Sequence, residues 1–367
     1  MKKSVAAFAL SLLILFLGCR GALAEARAAI LVESTTGRVL YEKNADERLP
    51  MASTTKIMTA LLAIERGDPA DIVTAGPNAF GVPGTSLYLS LGEQLTLEEM
   101  LYGLMLASGN DAAVAIAEHI GGTVEEFCGM MTARARELGC ENTVFLTPHG
   151  LPAQGHYTTA RDLSTITLSA MRLPLFRQIV STQRVSLPWQ DHGYDRVLAN
   201  KNKLLSTYAG ALGVKTGYTR AAGRCLVFAA EREELSLVGA VLNCPDWFDQ
   251  AAAILDEGFA EWKMAKVLSK DETVRFVAVR GGTAEAVRVV AGADAAAPVR
   301  REDWPQLTIS LPDLLDAGIR AGQQVGTASL VDHGQTLLTV PLLAAEDVPQ
   351  RSFRTGWQRF LSFWLLR

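Results

Sequence analysis

Cysteine is scarce in this 367-residue sequence, and no spacing among its five cysteines resembles a metal site. Cys19 falls in the N-terminal run. Cys128 lies in a predicted helix and Cys140 just past its end, ~18 Å apart if helical and too far to bridge. Cys225 and Cys244 fall on neighbouring predicted strands, where a bond is conceivable, but four mostly buried thiols are the simpler expectation. Net charge is also small, at −4, which gives no reason to expect nucleic acid as a partner. Histidine is sparse. His119, His149, His156, His192 and His333 stand outside any Gly-x-Ser-x-Gly or His-Glu-x-x-His context. Neither a metal nor an organic cofactor is implied.

What is present fits a folded protein of two domains, with an apolar fraction of 49% and a charged fraction of 20%. The chain opens on a targeting segment. Lys2 and Lys3 precede an uncharged, Leu-rich run from Ser4 to Gly18, and Ala22-Leu23-Ala24 supplies a small-x-small cleavage site. Cleavage after Ala24, with Ala26 close behind, predicts an exported mature protein. Gly18-Cys19 raises a lipoprotein alternative, but Phe16 and Leu17 make a poor lipidation signal.

Ala29 to Glu33 and Arg38 to Glu42 read as a hairpin turning through Ser34 to Gly37. Ile57, Leu61 and Ile64 recur at helical spacing and Gly67 is a stop signal, so a buried helix is expected with Ser53 at its N-terminus. A glycine- and proline-rich excursion covers 67–94. Thr96-Leu97-Glu98-Glu99 is a capping box for a helix that breaks at Ser108-Gly109-Asn110-Asp111. Further helices are predicted from Ala112 to Ile120, from the Thr123 cap to Gly139, and from Thr159 and Asp162 onward. Val214 to Tyr218, Cys225 to Ala230 and Leu235 to Leu242 read as strands, and Phe248 to Trp262 as a helix. Two strands, a helical block, three strands and a helix predict an α/β (α+β) domain whose antiparallel sheet joins both ends of the segment. From about Asp271 short strand-like runs alternate with turns, the pattern of a small all-β sandwich.

The last segment carries Phe353, Trp357, Phe360, Leu361, Trp364 and Leu365 on one helical stripe, flanked by Arg351 and Arg367. It falls short of the ~20 residues that span a bilayer. A basic amphipathic helix of this kind suits the interface of an anionic membrane. The expected organisation is a signal peptide at 1–24, an α/β domain at 25–265, a β-sandwich at 270–349 and an anchor helix at 350–367.

Ser53 and Lys56 lie one turn apart on the same predicted helix face. A neutral amine there could take the serine proton, and unpaired backbone N–H groups could hold an oxyanion. Alone, Ser-x-x-Lys is a weak signal and reads better as a capped core helix with one solvated lysine. Two further motifs change that. Ser108-Gly109-Asn110 sits at a helix break, where a loop aims polar side chains into a cleft. Lys215-Thr216-Gly217 lies on a strand whose glycine lets a ligand approach the backbone. In this order, in an exported chain, the three form a set known from penicillin-binding proteins and related β-lactamases.

The segment from about Ala28 to Trp262 resembles the low-molecular-weight penicillin-binding proteins, serine D-alanyl-D-alanine carboxypeptidases. The likeness includes Pro50 to Ala60, Leu106 to Ala113, Thr147 to Leu151, Thr158 to Asp162 and Val214 to Thr219. Met51 and Thr132 depart from the expected pattern, neither at a catalytic position. The β domain and the terminal helix are similar to that family's second domain and membrane anchor. The fold implied is the β-lactamase/transpeptidase-like one.

The resemblance implies that Ser53 attacks the bond between the two terminal D-alanines of a peptidoglycan stem peptide, with Lys56 as general base. Ser108 would relay a proton to the leaving amine, and Asn110 would bind the substrate amide and orient Lys56. Lys215 and Thr216 would receive the terminal carboxylate beside Gly217. The N–H groups of Ser53 and Tyr218 would form the oxyanion hole, and His149 would assist the deacylating water or shape the cleft. β-Lactams would be covalent inhibitors, and the enzyme would sit at the outer face of the cytoplasmic membrane.

A β-lactamase is the first rival, yet no glutamate occurs between Thr147 and Arg172, where class A enzymes carry the deacylating one. A membrane-tethered module that binds cell-wall peptide without turnover is the second, and transfer of the acyl group to an amine is the third.

Overall fold

The structure, a computed structural model, describes residues 25–189 and 192–351. The predicted signal peptide and amphipathic anchor lie outside these residues. By internal contacts the chain divides into two compact units. The first holds 41–230 and 238–256 with the described part of 1–31; the second holds 32–40, 231–237 and the described part from 257 onward.

The α/β part of the chain is built on one five-stranded sheet. Its strands are β1 (Ala28–Glu33), β2 (Val39–Lys43), β3 (Ala211–Thr219), β4 (Gly223–Arg232) and β5 (Leu235–Leu242), in the order β2-β1-β5-β4-β3. The first strands of the α/β segment therefore sit beside its last, as the element order predicted. β3 forms one outer edge and pairs antiparallel with β4.

Between β2 and β3 lies the helical block, centred on α1 (Lys56–Arg66). Every residue from Lys56 to Ala63 is buried, which makes α1 a core helix rather than an amphipathic surface one. It packs against α2 (Asn110–Gly121) and α3 (Ala160–Met171). Leu61 and Ile57 are fully buried, each worth roughly 1.5–3 kcal/mol of apolar burial. The predicted caps are in place. Thr96 and Glu99 form a reciprocal capping box, Thr123 accepts from the Glu126 N–H, and Thr159 accepts from the Asp162 N–H.

One local expectation is corrected. Ser53 is not the N-cap of the helix, because a 3₁₀ turn, Ala52–Thr55, precedes α1 and no side-chain cap bond is made at its start. The serine hydroxyl is directed at Lys56 instead. Elements without a sequence forecast occupy 174–207: a helix (Pro174–Ser181), a strand pair (Arg184–Leu187 with Arg196–Ala199) and a short helix (Leu204–Thr207). The closing helix α4 runs from Trp247 to Glu261. Cys128, Cys140, Cys225 and Cys244 are buried and none forms a disulfide.

The second unit is all-β beyond α4. Trp262, expected to end the preceding helix, instead opens a strand, Trp262–Leu268, paired with Ala295–Arg300. A six-stranded sheet accompanies that pair, and Leu268, Val277, Val289, Leu330 and Leu342 share its core. Asp303, Asp332 and His333 lie close together there, but Arg38 already holds Asp332 at 2.7 Å. Among the described residues, no helix is long and apolar enough to cross a membrane.

Candidate active site

The three sequence motifs converge in the first unit around one cleft of about 620 Å³. Ser53, Ser108, Asn110, Thr216, Gly217 and Tyr218 line it. Each is placed by a specific device. The helix through Leu104 and Met105 ends in a π-helical turn, Gly103–Ala107, and Ser108 adopts a left-handed conformation (φ 64°) that turns the chain. Asn110 then begins α2. The next residue, buried Asp111, accepts the Leu87 and Leu89 N–H groups and the Ser86 hydroxyl, fixing the loop opposite.

Lys56 is fully buried and makes three contacts through Nζ: Asn110 Oδ1 at 2.7 Å, the His149 carbonyl at 2.7 Å and Ser53 Oγ at 3.2 Å. The first two partners can only accept. The Asn110 amide is oriented by its own Nδ2, which donates to the Pro83 carbonyl at 2.6 Å. A neutral amine has two N–H groups and one lone pair. With both N–H groups taken, the lone pair is left facing the Ser53 hydroxyl. Burial drives the Lys56 amine well below its usual range, and the nearby Lys215 and Lys201 charges add to this. Geometry and electrostatics therefore favour the same protonation state.

The loop that supplies the His149 carbonyl is itself held. Thr59 Oγ1 donates to the Pro148 carbonyl at 2.6 Å. Gly150 has φ 86°, and a Cβ on it would stand 1.8 Å from the Ala52 carbonyl oxygen. Only glycine fits against the turn that carries Ser53. On the other side, a Cβ on Gly217 would lie 2.9 Å from the Ser53 nitrogen, so the β3 backbone approaches Ser53 directly. His156, which the sequence marks only as structural, bonds Thr55 at 2.9 Å while Nδ1 accepts the Leu146 N–H. That pattern puts the proton on Nε2, and burial holds the ring neutral, down to about 4.

His149 contributes its backbone more than its ring. Its Nδ1 accepts the Leu151 N–H at 3.1 Å, and burial beside Lys56 pushes the ring down to about 3. Lys215 is buried too, but among the described residues its Nζ has one bond, to the Thr216 carbonyl at 3.2 Å. Desolvation first and Lys201 second bring it down to about 7. Tyr218 is 63% exposed at the cleft rim.

Residues without a motif complete the wall: Lys201, Lys203, Arg224 and Trp247. Nothing local in the sequence marks them, because they reach the cleft from a loop before the short 204–207 helix, from β4 and from the start of α4. Such an arrangement can activate a serine, hold an oxyanion beside a strand edge and receive an anionic group.

Comparison with known proteins agrees with that chemistry. The D-alanyl-D-alanine carboxypeptidase family model matches residues 21–246, and the model of the penicillin-binding protein 5 C-terminal domain matches 262–350. A D-alanyl-D-alanine carboxypeptidase of Bacillus subtilis (DacF) is 33% identical over 356 residues, covering 93% of this chain and 90% of its own. Penicillin-binding protein 5 of Haemophilus influenzae superposes with a TM-score of 0.76 at 28% identity, covering 91% of this chain and all (100%) of that one. A DD-transpeptidase of Streptomyces K15, in mutant form, gives a TM-score of 0.62 at 35% identity over 66% of this chain and 100% of its own.

Proposed function

The chain belongs to the D-alanyl-D-alanine carboxypeptidase family, and on that premise we propose that it works through an acyl-enzyme on Ser53. It is a penicillin-binding serine carboxypeptidase, and its substrate is a peptidoglycan stem peptide ending in D-Ala-D-Ala. The observation that carries the assignment is the Lys56 amine, 3.2 Å from Ser53 Oγ with its other two contacts to fixed acceptors.

In the first step Ser53 gives its proton to Lys56 and Oγ attacks the carbonyl of the penultimate D-alanine. The backbone N–H groups of Ser53 and Tyr218 hold the oxyanion. Ser108 relays the proton held by Lys56 to the leaving amine, which returns Lys56 to its neutral form, and free D-alanine departs. Lys215 and Thr216 have held its carboxylate throughout, a charge-assisted contact. Water then takes the acyl group, with Lys56 again as base. A β-lactam enters the same first step, and its opened ring stays on Ser53.

The test pairs two readouts on the purified protein: D-alanine released from a peptide ending in D-Ala-D-Ala, and covalent labelling by a fluorescent penicillin. Both are expected, and Ser53→Ala abolishes both. Labelling without release identifies a binding module, rapid turnover of the penicillin identifies a β-lactamase, and capture of the acyl group by an added amine identifies a transferase.

The reading extends to location. The run from Lys2 to Ala24 supports export, and the Trp- and Phe-rich stripe from Phe353 to Leu365 supports a tether on the outer face of the cytoplasmic membrane. Deleting 351–367 is expected to move the protein from the membrane to the soluble fraction. Unchanged partitioning would remove the tether from this account.

A further inference from the structure

The cleft is more cationic than one terminal carboxylate requires. Lys201, Lys203 and Arg224 line it, and no Asp or Glu does. Among the described residues none of the three forms an ion pair, although arginines elsewhere in the molecule, such as Arg134, Arg161 and Arg196, are paired with acids. Arg224 also differs from an ordinary surface arginine in being held. Its Nη1 donates to the Pro245 carbonyl at 2.6 Å, and its guanidinium lies 5.9 Å from the centre of the Trp247 ring. A planar fork fixed in this way loses little freedom on meeting a carboxylate.

Its position along the strand says which carboxylate. β3 is the outer strand, so a peptide can lie along its free edge. Lys215 and Thr216 take the terminal carboxylate in the reading above, and Gly217 faces Ser53. The rest of the peptide then runs toward Tyr218 and Thr219. Strand and peptide both advance ~3.3 Å per residue, so the residue before the two D-alanines falls beside Tyr218. Directly across the ladder from Tyr218 stands Arg224. Side chains of such a pair project from the same face.

We propose that Arg224 is a specificity residue that receives a side-chain carboxylate on the residue preceding the two D-alanines. Lys201 and Lys203 supply supporting positive potential, and a cationic side chain at that place is disfavoured. The inference rests on the assignment of Ser53 and Lys215 made above, because these set the direction in which the peptide lies.

The experiment uses the purified full chain in detergent and three peptides, N-acetyl-X-D-Ala-D-Ala with X glutamate, glutamine or lysine. The glutamate peptide is expected to exceed the glutamine one in kcat/KM by roughly ten- to a hundredfold, with the lysine peptide lowest. Arg224→Gln brings the glutamate-to-glutamine ratio to about one, and thermal unfolding verifies that the variant is folded. Equal rates for the two peptides with the unaltered protein overturn the proposal. So does an Arg224→Gln variant that slows both peptides alike, since that marks a reader of the shared terminal carboxylate. Calorimetric binding of the same peptides to Ser53→Ala reports the preference without turnover. A failure of D-alanine release would thus count against the acyl-enzyme reading alone.

Discussion

Lys56 and Lys215 are both buried, both cationic by type and both part of one cleft, yet the protein holds them in opposite ways. Lys56 is surrounded: two carbonyl-type acceptors and a hydroxyl occupy its nitrogen, and the loops that present those acceptors are themselves tied down. Lys215 has a single backbone contact at 3.2 Å. The first side of the cleft is complete before substrate arrives. The second is the side that, in the proposed reading, an anionic group of the substrate completes. Burial lowers the proton affinity of both amines, but to different ends. In the proposed reading Lys56 works in its neutral form, which its two fixed acceptors favour. In the same reading Lys215 works in its charged form, which an entering carboxylate favours.

On this contrast, changes on the two sides have different kinetic signatures. Lys56→Ala removes the base, and acylation by penicillin is expected to fall by ~10³-fold or more within the range of lost general-base catalysis. Retention of a tenth of the labelling rate would show that Lys56 is a structural lysine. Lys215→Gln should cost less, roughly ten- to a hundredfold in kcat/KM and mainly through KM, because a docking charge is lost and not the base. An equal fall in kcat with unchanged KM would place Lys215 in the chemical step.

The smallest effect is in the pH profile. Lys56 must be neutral, so activity is present above its lowered pKa and disappears as pH falls through it. Lys215 must be charged, so its contribution is present at low pH and fades as pH rises through about 7 in the free enzyme. A bell-shaped kcat/KM is expected, with an alkaline limb that shifts upward in kcat once the carboxylate is bound. Lys215→Arg keeps the charge at all these pH values and should flatten that limb; a limb unmoved by the exchange belongs to another group.

Much of this was legible in the residues. The capping threonines at 96, 123 and 159 have an acidic residue three positions on, and each opens a helix. Ser53 and Lys56 were readable as neighbours because helical and 3₁₀ geometry both bring i and i+3 together. What failed had long-range causes. Trp262 continues the apolar rhythm of α4, and only its pairing with Arg300 makes it a strand. That partner strand contains Ala-Ala-Ala-Pro, a poor β signal in isolation. A serine at a helix start normally spends its oxygen on the backbone as a cap, while here the 3₁₀ turn leaves the Ser53 hydroxyl facing the Lys56 amine. Arg224 and Lys201 carried no signal at all, since membership of a cleft is a property of the assembled sheet and loops.

The turn bearing Ser53 is pressed between Gly150 and Gly217, where even a methyl group would meet backbone atoms at 1.8 Å and 2.9 Å. Any side chain added at either glycine must displace the Ser53 turn itself, so neither position has room to vary. Lys201, Lys203 and Arg224 lie exposed at the rim of the same cleft, and the freedom to change its lining is found there and not beside Ser53.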